Sequence, residues 1–396
     1  MAIEKANRWE ADNMLGIPFS GIRKVSEAAA KLKAQGIDVI EMTMGRPDFD
    51  TPAHIKAAAI KALEQGKVHY TSNYGLPELR RAISKKMKEE NGLEYDAGDE
   101  IIVTVGGSEA IFGTMGAFLN PGDEIIVPTP IWGNYLASPL CFGAKIIQVP
   151  VKEENGFSLL PEDVEKCITD KTKAIVLVSP GNPTGGVMKR RDQEGIAELA
   201  KKHDLLVISD EVYEHLIYTG EKHRSIATLD GMRERTIVVN SFSKTYSMTG
   251  WRVGWVCADR ALISSLVRTH QNIVACASSF AQYGALAALE GPQDCVAEMR
   301  AEFNRRREYL ADAINKMPKV SCVEPAGAFY IFMNIKEMNM TSVEASNFFM
   351  EKAHVAIVPG SAFGEAGEGY IRIAYSASMD DIKEAVKRMD AALRTL

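Results

Sequence analysis

Short apolar runs rich in isoleucine and valine alternate with helical stretches between residues 100 and 257 of this 396-residue chain. Most runs are continuously apolar rather than alternating, which is typical of strands buried on both faces of a sheet. Helical patterns lie between them, for example at residues 108–119 and 192–203. The alternation predicts an α/β fold with helices on both faces of one sheet. The predicted strands are residues 100–105, 124–127, 145–149, 173–178, 205–209, 236–240 and 253–257.

The pattern changes after about Pro292. A long charged helix is predicted at residues 293–316, and a final amphipathic helix begins at about Met379. Strand-like segments between them predict a separate, smaller α+β domain. These segments are residues 320–323, 329–334, 355–358 and 370–374. The expected parts are an N-terminal arm (1–46, with a helix at 20–35), a large α/β domain (47–292) and a small α+β domain (293–396).

Composition and charge argue against several classes of protein. A hydrophobic content of 46% with 25% charged residues is ordinary for a globular protein. The net charge of −6 argues against a nucleic-acid or anionic-membrane partner. No stretch predicts a transmembrane helix, and the charged N-terminal segment lacks the apolar core of a signal peptide. Six scattered cysteines without a Cys-x-x-Cys motif then predict reduced thiols in a cytoplasmic protein.

The histidines do not predict a metal site. The seven histidines include no His-Glu-x-x-His motif. His203, Asp210 and His215 are spaced unlike the ligands of zinc sites, so we expect no metal.

The segment SFSKTYSMTGWRVGW at residues 241–255 carries the clearest chemical signal. Lys244 follows an apolar strand, with Ser241 and Ser243 beside it and Arg252 eight positions later. A lysine that leaves a buried strand can be desolvated, which lowers its pKa and prepares its amine to form a Schiff base. Serine hydroxyls and an arginine suit a phosphate ester. Together they indicate pyridoxal 5′-phosphate (PLP), which carries an aldehyde and a phosphate on one ring.

This segment resembles the lysine signature of the class I and II aminotransferases, PLP enzymes of fold type I, and especially their prokaryotic-type aspartate and aromatic branch. Further segments look like the family's other blocks, in its order, so the resemblance covers nearly the whole chain. It implies PLP fold type I, with a mostly parallel seven-stranded sheet in the large domain and a smaller α+β domain on which the arm packs. The segments are GRPDFDTP (45–52), YTSNYGLPELRRAI (70–83), VGGSEA (105–110), PIWGNY (130–135), SPGNPTGG (179–186), SDEVYEHL (209–216) and RIAYS (372–376).

The resemblance implies three residues at the cofactor ring. Asp210 ends an apolar strand and matches the aspartate that pairs with the pyridine nitrogen. A carboxylate there keeps the nitrogen protonated, so that the ring withdraws electrons from a deprotonated Cα. Tyr213 and Asn182 match the residues that hydrogen-bond the phenolic oxygen of the ring. Lys244, Asp210 and Tyr213 are thus the expected catalytic residues.

A phosphate site is predicted at Gly106, Gly107 and Ser108, where a helix directly follows a strand. Small residues let the backbone amides and the positive helix end approach a phosphate, to which Ser108 can add its hydroxyl. No P-loop lysine follows, which argues against a nucleotide. The remaining members of the predicted site are Ser241, Ser243 and Arg252.

Two aromatic residues match family positions at the cofactor. Trp132 matches the residue that stacks on the ring, where it would also contact the substrate. Tyr70 matches a tyrosine that reaches the phosphate of the neighbouring subunit, and Tyr74 competes for that role. The resemblance therefore implies a homodimer with shared active sites.

Arg372 is the expected substrate anchor. An arginine in an apolar strand is costly unless it is paired, and Arg372 matches the arginine that binds the substrate α-carboxylate. Gly45 would bring a backbone group close to that carboxylate, and Asn182 and Trp132 complete the predicted substrate site. The implied reaction is ping-pong transamination: the Lys244 amine moves the Cα proton, and a second 2-oxo acid, such as 2-oxoglutarate, takes the amino group.

Two other functions compete with amino transfer. A PLP-dependent carbon–sulfur β-lyase of the same fold would share almost every cofactor contact, because a fold does not fix the reaction. A PLP-dependent transcription regulator needs an N-terminal DNA-binding domain, and the GRPDFDTP block at 45–52 is expected to leave no room for one.

The amino donor is predicted from one departure from the family. Aspartate- and prephenate-using members of the branch resemble VGGKxA, in which a lysine meets the second carboxylate, whereas this chain has Ser108 there. A second carboxylate without a partner would be desolvated without compensation. The arm offers apolar Ile17, Phe19 and Ile22, although Arg23 is close enough to act as a cation. We therefore expect an apolar or aromatic donor, with aspartate as the alternative.

Overall fold

The computed structural model of the protein describes residues 9–17 and 19–396. None of the helices in these two ranges is long and apolar enough to span a lipid bilayer. The helices are α1 (Gly21–Ala34), α2 (Ala53–Glu64), α3 (Pro77–Asn91), α4 (Gly106–Phe118), α5 (Asn134–Cys141), α6 (Pro161–Glu165), α7 (Arg190–Lys202), α8 (Phe242–Thr245), α9 (Arg260–Ile273), α10 (Ser279–Glu290), α11 (Asp294–Ile314), α12 (Ser342–Phe348) and α13 (Met379–Leu393). The strands are β1 (Ile40–Glu41), β2 (Ile101–Thr104), β3 (Glu124–Thr129), β4 (Lys145–Pro150), β5 (Thr172–Val178), β6 (Leu206–Asp210), β7 (Thr236–Ser241), β8 (Gly254–Cys257), β9 (Tyr330–Asn334), β10 (Val355–Ala356), β11 (Val358–Pro359) and β12 (Tyr370–Ala374).

The seven apolar runs between residues 100 and 257 form one sheet in the order β2-β8-β7-β6-β5-β3-β4. Strand β8 is antiparallel to β2 and β7, and the other pairs are parallel. Along β3, Ile125 belongs to the same core as Ile111 of α4, whereas Ile126 belongs to the core that contains Ile196 of α7. Because successive residues enter different cores, the middle of the strand is apolar on both faces. The predicted fold, a mostly parallel seven-stranded α/β sheet, is confirmed.

The strand predicted at residues 320–323 is wrong. Only an isolated bridge between Ser321 and Asn334 forms there. The side chain of Asn315 accepts a hydrogen bond from the Cys322 amide at 2.8 Å and donates to the Cys322 carbonyl at 3.1 Å. An asparagine side chain therefore satisfies the backbone groups that a neighbouring strand would otherwise pair.

The single strand predicted at residues 355–358 is divided between two sheets. Strand β10 pairs in parallel with β1, and β11 joins the antiparallel sheet β11-β12-β9. Ile357 lies between the two strands and is fully buried in the C-terminal core. A continuously apolar run cannot reveal which of two sheets its halves join.

A large core unites the C-terminal helices α11 and α13 with β9 and β12. The arm helix α1, which corresponds to the helix predicted at 20–35, packs against this part of the molecule. Its Val25 and Leu32 contact a small cluster that contains Met350 and Ala356. The division of the chain at 46/47 and 292/293 stays a prediction.

The carboxyl ends of the parallel strands meet at one edge of the large sheet, where ligands bind in open α/β sheets. Asp210 ends β6, Ser241 ends β7, and Trp132 follows the end of β3 by three residues. The C-terminal core reaches this edge, because Tyr213 and Leu216 belong to it. The fold thus gathers polar side chains into a space between the sheet and the C-terminal elements.

Candidate active site

A cavity of about 470 Å³ lies at this edge of the sheet. Of the predicted site residues, Gly106 borders it beneath Arg252, and Tyr70 lies apart from it. The structure brings all the others together as lining residues. They are Gly45, Gly107, Ser108, Trp132, Asn182, Asp210, Tyr213, Ser241, Ser243, Lys244, Arg252 and Arg372.

Lys244 lies in the single helical turn α8, directly after β7. Ser241 caps this turn, because its hydroxyl oxygen accepts a hydrogen bond from the Ser243 amide at 3.1 Å. The same hydroxyl donates to the Ser243 hydroxyl at 2.8 Å. The serines that flank the lysine in sequence therefore fix the turn that carries it into the cavity.

The ammonium group of Lys244 donates to the carbonyl of Gly45 and forms no ion pair with the described residues. Burial, together with the nearby cations of Arg372 and Arg252, lowers the pKa of Lys244 to about 8. The neighbouring Asp210 opposes this shift only in part. An amine of this pKa is partly uncharged near neutral pH, as a nucleophile or base requires.

Asp210 is buried at the end of β6. One of its carboxylate oxygens accepts a hydrogen bond from the Tyr135 hydroxyl at 2.7 Å, and the other accepts one from the Val212 amide at 3.2 Å. Burial raises the pKa of Asp210 to about 6, although these hydrogen bonds act in the opposite direction. Sequence reasoning missed Tyr135, which lies in the PIWGNY block three residues after Trp132.

The first amides of any helix have no acceptor within the helix. Helix α4 begins at Gly106 without a side-chain cap, so no capping side chain accepts from its first amides either. Gly106 has φ of 73°, and a Cβ atom there would lie 2.5 Å from Nη2 of Arg252. The glycine therefore allows the guanidinium group to lie against the helix end. Arg252 donates to the Thr249 carbonyl at 2.9 Å and has no carboxylate partner among the described residues.

This helix end has the donors that a phosphate needs. Ser108 of α4 lines the cavity together with Ser241, Ser243 and Arg252. Hydroxyls, free amides and an unpaired guanidinium suit a dianion at a helix N-terminus. The predicted phosphate residues thus lie together and fit the group.

Arg372 of β12 is buried, with 1% of its surface exposed. Its guanidinium donates to Oδ1 of Asn182 at 3.0 Å and to the Thr43 carbonyl, while Nε has no partner. No carboxylate of the described residues pairs with it, and its carbon Cζ lies 4.7 Å from the ring centre of Tyr330 and 4.8 Å from that of Phe363. A buried cation without a counter-charge is costly unless a ligand supplies one.

A pair of hydrogen-bonded tyrosines lies next to this arginine. The hydroxyls of Tyr213 and Tyr330 lie 2.7 Å apart in the buried interior. Sequence reasoning did not identify Tyr330, whose segment Ala-Phe-Tyr-Ile-Phe reads as an apolar strand. The sequence offers one clue, because a tyrosine in a buried strand needs a hydrogen-bond partner for its hydroxyl.

Of Trp132, Tyr70 and Tyr74, the structure places only Trp132 in the cavity. Trp132 lines the cavity and meets Tyr135 edge-on at 6.4 Å between ring centres. Tyr70 is 89% exposed and does not line the cavity of its own chain. Tyr74 packs against the large-sheet core beneath the guanidinium of Arg80 and does not line the cavity either.

A second group of titratable side chains lies beside this site. Among residues 9–17 and 19–396, the ligand atoms of Glu211, Glu214 and His223 lie within 4.8 Å of one another, a grouping that does not include His203, Asp210 or His215. Glu214 binds the ammonium of Lys86, and His223 Nε2 lies 2.9 Å from a carboxylate oxygen of Glu211. We interpret the group as a buried ion-pair network.

Comparisons with known proteins agree with this geometry. The family described as aminotransferase class I and II matches residues 37–389. An aspartate aminotransferase of Pyrococcus abyssi is 48% identical over 377 residues, which are 95% of this chain and 96% of that protein. An aromatic-amino-acid aminotransferase of Thermococcus litoralis is 43% identical over 387 residues, 97% of this chain and 98% of that protein.

The solved structure of an aromatic aminotransferase from Pyrococcus horikoshii has a TM-score of 0.89 to this chain at 45% identity. The match covers 93% of this chain and 99% of that one. Sequence and structure thus agree over almost the full length, and the predicted family, enzyme class and cofactor are confirmed. The chain belongs to the class I and II aminotransferases and is a PLP-dependent transaminase that acts on amino acids and 2-oxo acids.

Proposed function

We propose that the protein transfers the amino group of an apolar or aromatic L-amino acid to a 2-oxo acid such as 2-oxoglutarate. The observation that carries the proposal is the buried guanidinium of Arg372, which lacks a carboxylate partner among the described residues and faces the same cavity as Lys244. An amino acid brings both the missing carboxylate and the amine to be exchanged.

The residues of the cavity fit PLP. Asp210 would pair with the ring nitrogen, and Tyr213 and Asn182 would hydrogen-bond the phenolic oxygen. When bound, PLP supplies an electron sink that lets Cα of the substrate lose its proton. Trp132 would lie against the ring. The phosphate would be held by Gly106, Gly107, Ser108, Ser241, Ser243 and Arg252.

The chain's own residues then bind the substrate carboxylate and transfer one proton. Arg372 and Asn182 bind the α-carboxylate beside the backbone of Gly45, which orients the Cα–H bond. Lys244, with a pKa of about 8, takes that proton and returns it at another carbon. Asp210, with a pKa of about 6, is mostly ionised at pH 7 and would keep the ring nitrogen of PLP protonated. Donor and acceptor use the same residues in turn, as a ping-pong sequence requires.

The lining of the cavity supports an apolar or aromatic side chain. Ile22, Met44, Ile111 and Trp132 line it, and the family position of a substrate-binding lysine holds Ser108. Of the arm residues considered from the sequence, only Ile22 takes part. Phe19 is 91% exposed, and Ile17 and Arg23 do not line the cavity.

One observation favours the aspartate alternative. Arg46, which sequence reasoning overlooked, lines the cavity, is exposed and forms no ion pair among the described residues. Its guanidinium could meet a second carboxylate. If aspartate is a substrate, Arg46→Met should lower kcat/KM for aspartate at least about tenfold and leave phenylalanine within twofold.

We further propose a homodimer that shares its active sites. An exposed apolar face, to which Ile60, Leu63 and Phe280 belong, borders a groove of about 720 Å³ beside Arg252. A second copy would cover this face, and exposed Tyr70 would then reach the partner's phosphate site. Mixing Tyr70→Phe and Lys244→Ala subunits should produce hybrids with one intact site. An active monomer in sedimentation would contradict the proposal.

We also place the protein in the cytoplasm. All six cysteines are free in the structure, and Cys257 and Cys322 are buried. Unpaired buried thiols suit a reducing compartment. Localisation of a tagged chain by fractionation would test this assignment.

A panel of donors tests the proposed reaction. Phenylalanine, methionine, leucine, alanine and aspartate are each assayed with 2-oxoglutarate, and kcat/KM is compared. We expect phenylalanine or another apolar donor to exceed aspartate, and aspartate in first place would contradict the donor assignment. Release of pyruvate and ammonia from cystathionine without amino transfer would favour the β-lyase instead.

A further inference from the structure

We propose that Tyr330 is a positioning residue that joins the two halves of the active site. Its hydroxyl donates a hydrogen bond to the Tyr213 hydroxyl, which leaves the Tyr213 proton free to point at the cofactor. Its ring packs against the guanidinium of Arg372. The inference rests on the roles proposed above for Tyr213 and Arg372. Tyr330 is buried at the start of β9 and lines the cavity.

The strand register brings the ring of Tyr330 to Arg372. In the β12–β9 pair, Tyr330 opposes Ala374 and Phe332 opposes Arg372. Alternate residues of paired strands share one face, so Tyr330 and Arg372 are diagonal neighbours. Cζ of Arg372 lies 4.7 Å from the ring centre. Because no carboxylate of the described chain pairs with Arg372, the ring face offsets part of its desolvation and holds it ready for a carboxylate.

The hydroxyl of Tyr330 acts on Tyr213. The two oxygens lie 2.7 Å apart, and the rings meet edge-on with centres 5.8 Å apart. Only one hydroxyl of such a pair can donate to the other. If Tyr213 donates to the phenolic oxygen of the cofactor, Tyr330 must donate to Tyr213. A chain of two donors polarises the outer hydrogen bond and strengthens it.

Gly45 leaves the space that this hydroxyl occupies. A Cβ atom on Gly45 would lie 2.7 Å from the Tyr330 oxygen, too close for both to keep their places. The Gly45 carbonyl also accepts the hydrogen bond of Lys244. Because of the close approach, Gly45→Ala should displace the hydroxyl while the ring of Tyr330 is retained.

Two substitutions separate the hydroxyl from the ring. Tyr330→Phe removes only the donor, and Tyr330→Leu removes both. Each holoenzyme is titrated with pH by the visible absorbance of its cofactor, and the Kd of 3-phenylpropanoate, with maleate as a second carboxylate, is measured directly. Thermal unfolding confirms that each variant is folded.

Without the Tyr330 hydroxyl, Tyr213 donates a weaker hydrogen bond to the phenolic oxygen of the cofactor, which then carries more negative charge. The nitrogen that joins Lys244 to the cofactor should therefore keep its proton to higher pH. We expect Tyr330→Phe to raise the titration midpoint by about 0.5–1 pH unit and to lower kcat about 5–20-fold, with Kd within twofold. Gly45→Ala should raise the midpoint in the same direction. Tyr330→Leu should additionally weaken carboxylate binding about tenfold.

A wild-type midpoint in Tyr330→Phe would overturn the role of the hydroxyl. An unchanged Kd in Tyr330→Leu would overturn the role of the ring. These results differ from failure of the proposed function, in which the wild-type protein itself would bind neither carboxylate.

Discussion

Lys86, which is buried, and Lys244, which is half-buried, lie on either side of the Tyr213–Glu214 step and have opposite surroundings. Lys86, whose side chain is 6% exposed, donates to the carboxylate of Glu214 and, at 2.7 Å, to the amide oxygen of Asn91. Lys244 lies 5.8 Å from the ring centre of Tyr213 and donates only to a backbone carbonyl, without an ion pair among the described residues. The charge of Lys86 is thus neutralised by a carboxylate, whereas the charge of Lys244 is not.

The difference supports a structural role for Lys86 and the proposed chemical role for Lys244. Burial would raise the pKa of Glu214, but Lys86 and the nearby histidines outweigh it and hold that pKa well below its usual range. Lys244 lacks such a partner, and its pKa falls to about 8. A buried charge with its counter-charge stabilises the fold as it stands, whereas one without a counter-charge is complete only with a ligand.

The largest contrast is expected in turnover. Lys244→Met removes the proposed base and should lower kcat by about 10⁴-fold or more. Lys86→Met, the matched change on the other side of the segment, should keep measurable activity per folded molecule. Amino transfer is measured with the donor of highest kcat/KM, and more than a hundredth of wild-type activity in Lys244→Met would end the distinction between the two lysines.

Stability should change with opposite sign in the same two variants. Without cofactor at pH 7, Lys86→Met leaves Glu214 unpaired and should cost about 3–5 kcal/mol of unfolding free energy. Lys244→Met removes an uncompensated cation and should stabilise by up to about 3 kcal/mol. Denaturant unfolding of the cofactor-free proteins measures both effects. Equal destabilisation by the two substitutions would show that Lys244 is satisfied by partners within the fold.

The pH dependence of stability separates the lysines further. The pKa of about 8 for folded Lys244 lies below the value of about 10.4 for an unfolded lysine, so the unfolded state binds more protons between these values. The unfolding free energy contributed by this group is therefore reduced below pH 8 and recovers as the pH rises towards 10.4. Lys244→Met should lack this rise, which unfolding curves at pH 7.5, 9 and 10 would detect.

Adjacent carboxylates provide the next test. Asp210 faces the cavity, whereas Glu211 accepts hydrogen bonds from the hydroxyls of Ser209 and Ser225 at 2.8 and 2.6 Å. Asp210→Asn cannot hold a proton on the ring nitrogen and should lower kcat about 10²–10³-fold without unfolding the protein. Glu211→Gln should lower stability more than turnover. Near wild-type kcat in Asp210→Asn would refute the electron-sink role.

Two buried arginines give the smallest effect. Arg306 is paired with Asp48 at 2.7 Å and Glu302 at 2.8 Å, whereas Arg372 has no carboxylate partner in the described chain. A lysine at position 372 cannot bind a carboxylate bidentately, so Arg372→Lys should raise KM for the amino acid about 10–100-fold. Arg306→Lys should leave KM unchanged. Similar KM values for both variants would contradict the proposal that Arg372 binds the substrate carboxylate.

The sequence predicts those features that depend on local pattern. The seven apolar runs become the seven strands of the large sheet. Asp210 and Lys244 line one cavity because they lie at or just after the ends of its strands, and Arg372 joins them from the middle of β12. It does not predict contacts made by ordinary-looking residues of distant segments. Tyr330 meets Tyr213 across 117 positions, and Arg46 lies unnoticed in the GRPDFDTP block.

Labelling of the active lysine tests the central claim most directly. The holoenzyme is reduced with borohydride and digested, and the peptide that carries the pyridoxyl group is sequenced. The unpaired amine of Lys244 should carry the label, and ion-paired Lys86 should carry none. A pyridoxyl group on Lys86 or on any other lysine would contradict the account.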